Sequence, residues 1–270
     1  MQGSSRAAFA AGRDAFVAAL GSGADPSAFG EELFGVTAAL DSSASLRRAL
    51  VDPSRSAAAK RGLVESLFGP KISAAATDVL KVLVSQRWAD DQDLGDAVES
   101  LAVEAIVASA EAAGRLEALE DDLFRFGRVV AADPGLRDAL AAHGGYQNAK
   151  AALVQALLEA KASAETIRLA RQAAIAPRGR RFDRVLENYL TIAARRREQL
   201  TALVTAAIPL DEAQRQRLAS ALSGIYHRAV QLNVVLDPAV VGGIRVQVGD
   251  EVVDGTILRR IQEAERALLS

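Results

Sequence analysis

Residues 46–67 read LRRALVDPSRSAAAKRGLVESL, and residues 136–157 read LRDALAAHGGYQNAKAALVQAL. The stretches lie 90 residues apart, and across 46–70 against 136–160 nine of twenty-five positions are identical. The same offset pairs EELFGV at 31–36 with DDLFRF at 121–126, and Ser73 with Ser163. Ala/Leu-rich helices share a few residues by chance, but not several blocks in one gapless register. The period is well above the roughly 20–50 residues of a solenoid repeat. The sequence therefore reads as a domain duplication. Beyond Ser163 the register slips, with Leu94 set against Phe182 and Val98 against Leu186.

Helical periodicity fills each copy. RAAFAAGRDAFVAAL at 6–20 places Phe9, Phe16, Val17 and Leu20 on one face. Asp25 then offers an N-cap and Pro26 the first position of a helix over 26–40. ASLRRALVD is a short third helix ending at Asp52-Pro53, and AAAKRGLVESLFG a fourth ending at Gly69-Pro70. ATDVLKVLVSQRW is a fifth, carrying Val79, Leu80, Leu83 and Val84. A longer sixth helix spans 94–113 after the acidic loop. Six helices with short connections form a compact bundle. At an offset of 90 the first helix maps onto 96–110, which is already the sixth helix of copy one. Either one helix serves both bundles or copy two is a five-helix remnant; the shared helix is favoured. The helix of copy two equivalent to the fifth has Ala173 and Ala174 where copy one has Leu83 and Val84.

From residue 200 the pattern changes. LTALVTAAIPL reads as a strand, DEAQRQRLASALSGIYHR as a helix with Leu218, Leu222 and Ile225 inward, and VQLNVVLDP as a second strand. Ile244, Val246 and Val248 alternate with Arg245 and Gln247, and Gly249-Asp250 gives a hairpin turn. EVVDG returns, and TILRRIQEAERALL closes as a helix. The fold class is mainly α: two tandem helical bundles, 1–114 and 115–199, followed by a small α+β domain, 200–270.

Composition narrows the function. Net charge is −2, so the chain as a whole attracts neither nucleic acid nor membrane. There is no Cys, which excludes disulfides, thiolate metal sites and a Cys nucleophile. The two His, His143 and His227, stand far apart and read as surface and helix-end residues. No apolar run reaches the ~18–20 residues of a membrane span. The start has no apolar export-signal core, so the expected compartment is the cytoplasm.

Three features could still carry chemistry. Gly242-Gly243 leads into a strand rather than a helix, and no G-K-[S/T] follows, so neither a dinucleotide nor a P-loop motif is present. Asp237, Asp250, Glu251 and Asp254 match no metal or acid/base spacing and suit turns. The Arg-rich segment 178–197 could be a solvated face, a contact for an acidic protein surface, or a nucleic-acid site. It lacks interleaved stacking aromatics beyond Phe182 and Tyr189. Trp88 reads as bundle packing or a partner contact. No catalytic, metal or cofactor site is expected.

The tail LDPAVVGGIRVQVGDEVVDGTILRRI closely resembles the C-terminal signature of the delta subunit of F-type ATP synthases, the oligomycin-sensitivity-conferring protein family. The matching residues are Asp237, Pro238, Gly242, Gly243, Gly249, Asp250, Asp254 and Gly255. The strand and helix before them, and the front stretch LRRALVDPSRSAAAKRGLVESLF, are similar to the same family. The duplication departs from its usual single bundle and resembles the long form of some actinobacteria. The resemblance implies a non-catalytic stator without cofactors. It implies an N-terminal bundle that binds N-terminal helical segments of the alpha subunit. It implies a C-terminal region that grips the C-terminal helices of b, or of b and b′. The expected place is the cytoplasmic side of a bacterial plasma membrane, bound peripherally with no insertion. A helix-in-groove contact would use the first and fifth helices, with Phe9, Phe16, Leu20, Val79 and Leu83 as its lining. The same five residues would equally serve the bundle's own core. Copy two, with its two alanines, is not expected to bind an alpha segment equally well. A nucleic-acid or regulatory adaptor built on 178–197 is the alternative.

Overall fold

A computed structural model describes residues 3–141, 146–198, 201–226, 230–237, 243–248 and 251–254. The chain separates into two compact units, Met1–Ala193 and Ala194–Ser270.

The first unit is helical. Copy one contains α1 (Ser4–Gly21), α2 (Pro26–Ser42), α3 (Ala44–Val51), α4 (Ala57–Phe68), α5 (Ala74–Ser85) and α6 (Asp91–Ala112). Then come α7 (Leu116–Ala132), α8 (Pro134–Ala141), α9 (Gln147–Leu158), α10 (Ala164–Ile175) and α11 (Phe182–Glu198). The bounds of α7, α8, α9 and α10 are those of α2, α3, α4 and α5 displaced by 90 residues. The caps repeat with them. Ser43 accepts from the Leu46 amide and Asp133 from the Leu136 amide, while Ser73 and Ser163 accept from Ala76 and Thr166. Each satisfies a backbone donor that the first helical turn leaves open.

The register after Ser163 differs from the sequence alignment. The connection before α6 has five residues and that before α11 has six, so α11 starts 91 residues after α6. Val185 thus corresponds to Leu94 and Tyr189 to Val98, all four fully buried. A one-residue insertion in the loop, invisible to composition, replaces the pairing of Leu94 with Phe182.

Helix α6 is the axis of the unit. Fourteen of its twenty-two residues are buried, including Glu99 and Glu104, as for a helix enclosed on several sides. It packs on α1, α2, α3 and α5, and also on α7 and α10. Gly30 lets α2 approach closely: a Cβ there would lie 2.7 Å from Ile106 Cδ1 and 3.2 Å from the Ala102 carbonyl. One hydrophobic core runs without a break from Phe16 through Ile106 and Leu123 to Ala193.

The second unit holds β1 (Thr201–Ala206), α12 (Glu212–Tyr226), β2 (Gln231–Leu236), β3 (Ile244–Val248) and β4 (Glu251–Asp254). Its sheet has the order β2-β1-β3-β4, with β1 and β2 parallel and the other pairs antiparallel. Ala202, Val204, Val246 and Val248 bury one face with Leu222 and Val230. Leu218 packs against this cluster, but Ile225 is exposed, contrary to the apolar stripe in the sequence. From α12 the small core takes Leu218 and Leu222. The expected closing helix, with His227 and the 249–250 hairpin turn, lies outside the described residues.

Candidate partner-binding site and the interlock behind it

In copy one, α1 lies against α5 so closely that a Cβ on Gly12 would stand 2.1 Å from Leu83 Cδ2. Phe16 meets Phe29 edge to face, with ring centroids 5.5 Å apart. Ser5 Oγ accepts from the Ala89 amide, and the Trp88 indole donates to the Leu83 carbonyl, ending α5. Trp88 thus packs and caps the bundle. Arg13 on α1 makes a two-pronged bond to Glu104 on α6, at 2.8 and 3.0 Å.

The five residues singled out in the sequence divide here. Phe16, Val79 and Leu83 are fully buried, while Phe9 and Leu20 are half-buried and pack against the core. Val17, beside them on α1, is exposed. The outer surface of α1, with Ala7, Ala10, Asp14 and Ala18, is open.

Copy two puts α6 where copy one has α1. The positions of α6 that correspond to Ala7, Asp14, Val17 and Ala18 are Ala97, Glu104, Val107 and Ala108, all buried. Copy one itself covers them. Helix α2 also reaches α10, where Arg168 pairs with Glu31 and its guanidinium sits 4.3 Å from the centre of the Phe34 ring. The face open in copy one is closed in copy two.

A network of charges locks the copies together. Arg178 follows α10 with φ 54, a left-handed backbone that costs a non-glycine residue roughly 1–2 kcal/mol. Its guanidinium bonds to Asp41 on α2 at 2.9 Å, Asp96 at 2.6 Å and Glu99 at 3.2 Å. Burial works against its charge, but these three carboxylates outweigh it and raise its pKa. Glu99 is 1 % exposed. It also accepts from Arg180 at 2.6 and 2.7 Å and from the Tyr189 hydroxyl at 2.8 Å. Segment 178–197 is not one solvated face. Instead Arg178 and Arg180 are spent on the chain's own acidic α6, and Arg181 and Arg184 bond to Asp183 and Glu187. That leaves the nucleic-acid alternative without support.

Among the tail signature residues, the Asp237 amide donates to the Ala206 carbonyl at 3.0 Å, tying the end of β2 to β1. Gly243 has φ 77, a conformation glycine adopts without strain, just before β3. Asp254 ends β4 opposite Arg245. Pro238, Gly242, Gly249, Asp250 and Gly255 lie outside the described residues, as does His143. Among the described residues no group of three or more His, Asp or Glu could hold a metal ion, and no helix is long and apolar enough to cross a membrane.

The family model described as ATP synthase delta (OSCP) subunit matches residues 103–268. It covers the second half of α6, α7 to α11 and the four-stranded sheet, and leaves α1 to α5 outside. Full-length likeness comes from individual proteins. The chain is 52% identical over 246 residues to ATP synthase subunit delta of Kineococcus radiotolerans, covering 91% of this chain and 89% of that protein. It is 45% identical over 269 residues to that of Streptomyces avermitilis, covering 99% and 98%. With that of Thermobifida fusca it shares 46% identity over 245 residues, covering 91% of each. A family model over more than half the chain, with relatives alike over nearly all of it, leaves one assignment: the chain belongs to the ATP synthase delta (OSCP) subunit family.

Proposed function

We propose that this chain is the non-catalytic peripheral-stalk subunit of a bacterial F-type ATP synthase. It links the top of the alpha/beta head to the b subunits, so that the head resists rotor torque. It lies at the cytoplasmic side of the plasma membrane without entering it. The observation that carries this reading is the near full-length likeness to proteins named ATP synthase subunit delta. The fold suits a load-bearing link. α6, about 33 Å long at 1.5 Å per residue, belongs to the packing of both bundles. Residues 1–114 and 115–199 are read as two copies of one bundle that share it.

An N-terminal helical segment of an alpha subunit is assigned to the α1/α5 face of copy one. It would touch Phe9, Val17 and Leu20, above a floor shaped by Phe16, Val79 and Leu83. The counterpart face in copy two is buried under copy one, so copy two offers no second site of this kind. The C-terminal unit is assigned to the C-terminal helices of b, or of b and b′.

Purification of the complex through an affinity tag on this chain tests the reading. Alpha, beta and b should follow it, and deletion should abolish coupled ATP synthesis while isolated heads still hydrolyse ATP. A complex that assembles and couples without the chain overturns it. Calorimetric titration of the full chain with an alpha N-terminal peptide should give one peptide per chain. Phe9→Arg with Val17→Arg should abolish it, and two peptides per chain would overturn the closure of copy two.

A further inference from the structure

Phe34 and Phe124 occupy the same place in the two copies, 90 residues apart in EELF and DDLF. Phe34 is buried under Arg168, but Phe124 is 58 % exposed. The difference arises because α10 covers that face in copy one, and among the described residues of the helical unit nothing takes its place in copy two. The residues around the ring have changed too. Gly35 and Ala38 beside Phe34 become Arg125 and Arg128 beside Phe124. Val129, next to them, is 53 % exposed. Phe124 with Arg128, and Arg125 with Val129, are i, i+4 neighbours, so the four residues form one continuous strip on α7. The core side of that helix, Leu119, Leu123, Phe126 and Val130, points away from it.

The strip has the make-up of an interface centre, where aromatic and arginine side chains are enriched. Two large apolar groups in water on one helix are not explained by the bundle's own packing. The arginines are poorly used among the described residues. Arg125 makes only an exposed bond to Asp121 at 3.3 Å, and Arg128 has no hydrogen-bond or ion-pair partner among the described residues. In copy one the small residues beside Phe34 admit a basic helix, whose Arg168 stacks on the ring and pairs with Glu31. Copy two keeps the acid as Asp121, beside Arg125, but adds two arginines where copy one has Gly35 and Ala38, and carboxylates on the occupant would complement them.

We infer that the outer face of α7 docks an acidic amphipathic helix of another subunit of the complex. An apolar side chain of that helix covers Phe124 and Val129, and two carboxylates face Arg125 and Arg128. The inference rests on the stalk reading, since it requires a complex for the chain to join.

The test is a photoreactive phenylalanine analogue at position 124 of the full chain, assembled into the ATP synthase and irradiated. Cross-linking should reach a helical segment of another subunit with at least two Asp or Glu within two turns. Arg125→Glu with Arg128→Glu should weaken retention of the chain on the complex about tenfold or more. The melting temperature of the free chain should stay unchanged, because both side chains are exposed. A probe that stays unlinked in the assembled complex, or links to a second copy of this chain or to a basic segment, overturns the inference. So does a charge-reversed chain retained as tightly as the unaltered one. Failure of the unaltered chain to assemble would instead remove the stalk reading itself.

Discussion

The Tyr189 hydroxyl donates to Glu99 Oε1 at 2.8 Å, joining the last helix of copy two to the helix that both copies share. The same carboxylate holds Arg178 and Arg180, so one buried acid gathers donors from three positions of the second copy. Through Arg178 it also reaches Asp41 of copy one. A link that transmits torque needs its parts to move as one body, and this network ties the halves where a hinge would otherwise lie.

Removing Glu99 should therefore be costly. Glu99→Ala leaves two guanidinium groups beside a vacated buried site, which typically costs about 3–5 kcal/mol. The bonds that Arg178 keeps to Asp41 and Asp96 place the loss at the lower end of that range. Urea unfolding followed by circular dichroism measures it. A triple replacement by apolar residues, Glu99→Leu with Arg178→Met and Arg180→Met, should recover most of the loss. It removes the stranded charges along with the acid.

Tyr189 makes the same region sensitive to alkali. Burial, and next the Glu99 carboxylate, push its hydroxyl well above the ordinary tyrosine value of 10.0. The folded state thus holds this proton more tightly than the unfolded chain. Its contribution is fully present below about pH 10 and is lost as pH climbs towards the raised value. Unfolding free energies measured from pH 8 to pH 11 should fall above pH 10, and Tyr189→Phe should flatten that fall. At pH 8 the same variant should be less stable by roughly 1.5–3 kcal/mol, the range for a hydrogen bond to a charged group. An identical alkaline slope in the variant would disprove the assignment.

Much of this fold was legible in the sequence. Asp25 before Pro26 marks a helix start through a local hydrogen bond that needs no tertiary context. The 90-residue offset survived because it records which positions face a core. Strands β1 to β4 followed from alternation and turn residues. What stayed hidden was set by distant partners. Arg178 looked like any other arginine because its acids lie 79 to 137 residues earlier, and ion pairing leaves no periodic mark. Phe34 and Phe124 look alike in sequence, and only the presence of a neighbour separates a buried ring from an exposed one. Phe16, Val79 and Leu83 showed a helical stripe, but a stripe does not say whether its own bundle or a partner covers it.

The repeated serine caps should differ in strength. Ser73 Oγ accepts from the Ala76 amide, and its own amide and hydroxyl donate to Glu32 on α2 at 2.9 and 2.7 Å. Ser163 accepts from Thr166 and meets that residue's hydroxyl, but its copy has Asp122 where copy one has Glu32. Ser163→Ala should cost about 1 kcal/mol, the usual loss for an N-cap. Ser73→Ala should cost measurably more, because it also breaks a tie between helices. Equal losses by urea unfolding would mean that the Glu32 bond adds nothing.

The duplication supplies its own control for the contact between α1 and α5. Copy one pairs Gly12 with Leu83, and the matching positions of copy two hold Ala102 and Ala173, both fully buried. One copy has a notch and a large side chain; the other has two side chains of middling size. Gly12→Ala alone drives a methyl group into Leu83 Cδ2 and Cγ, at 2.1 and 2.8 Å from the new carbon. Overpacking of this kind costs typically 1–3 kcal/mol. Leu83→Ala alone leaves a cavity, which costs about 2–5 kcal/mol. The double variant recreates the pair found in copy two, so its loss should be smaller than the sum of the single losses by at least about 1 kcal/mol. Additive losses would mean that the two helices do not meet at this point. A double variant that keeps its stability but no longer takes up the alpha peptide would place Leu83 in the shape of the docking floor as well as in the core.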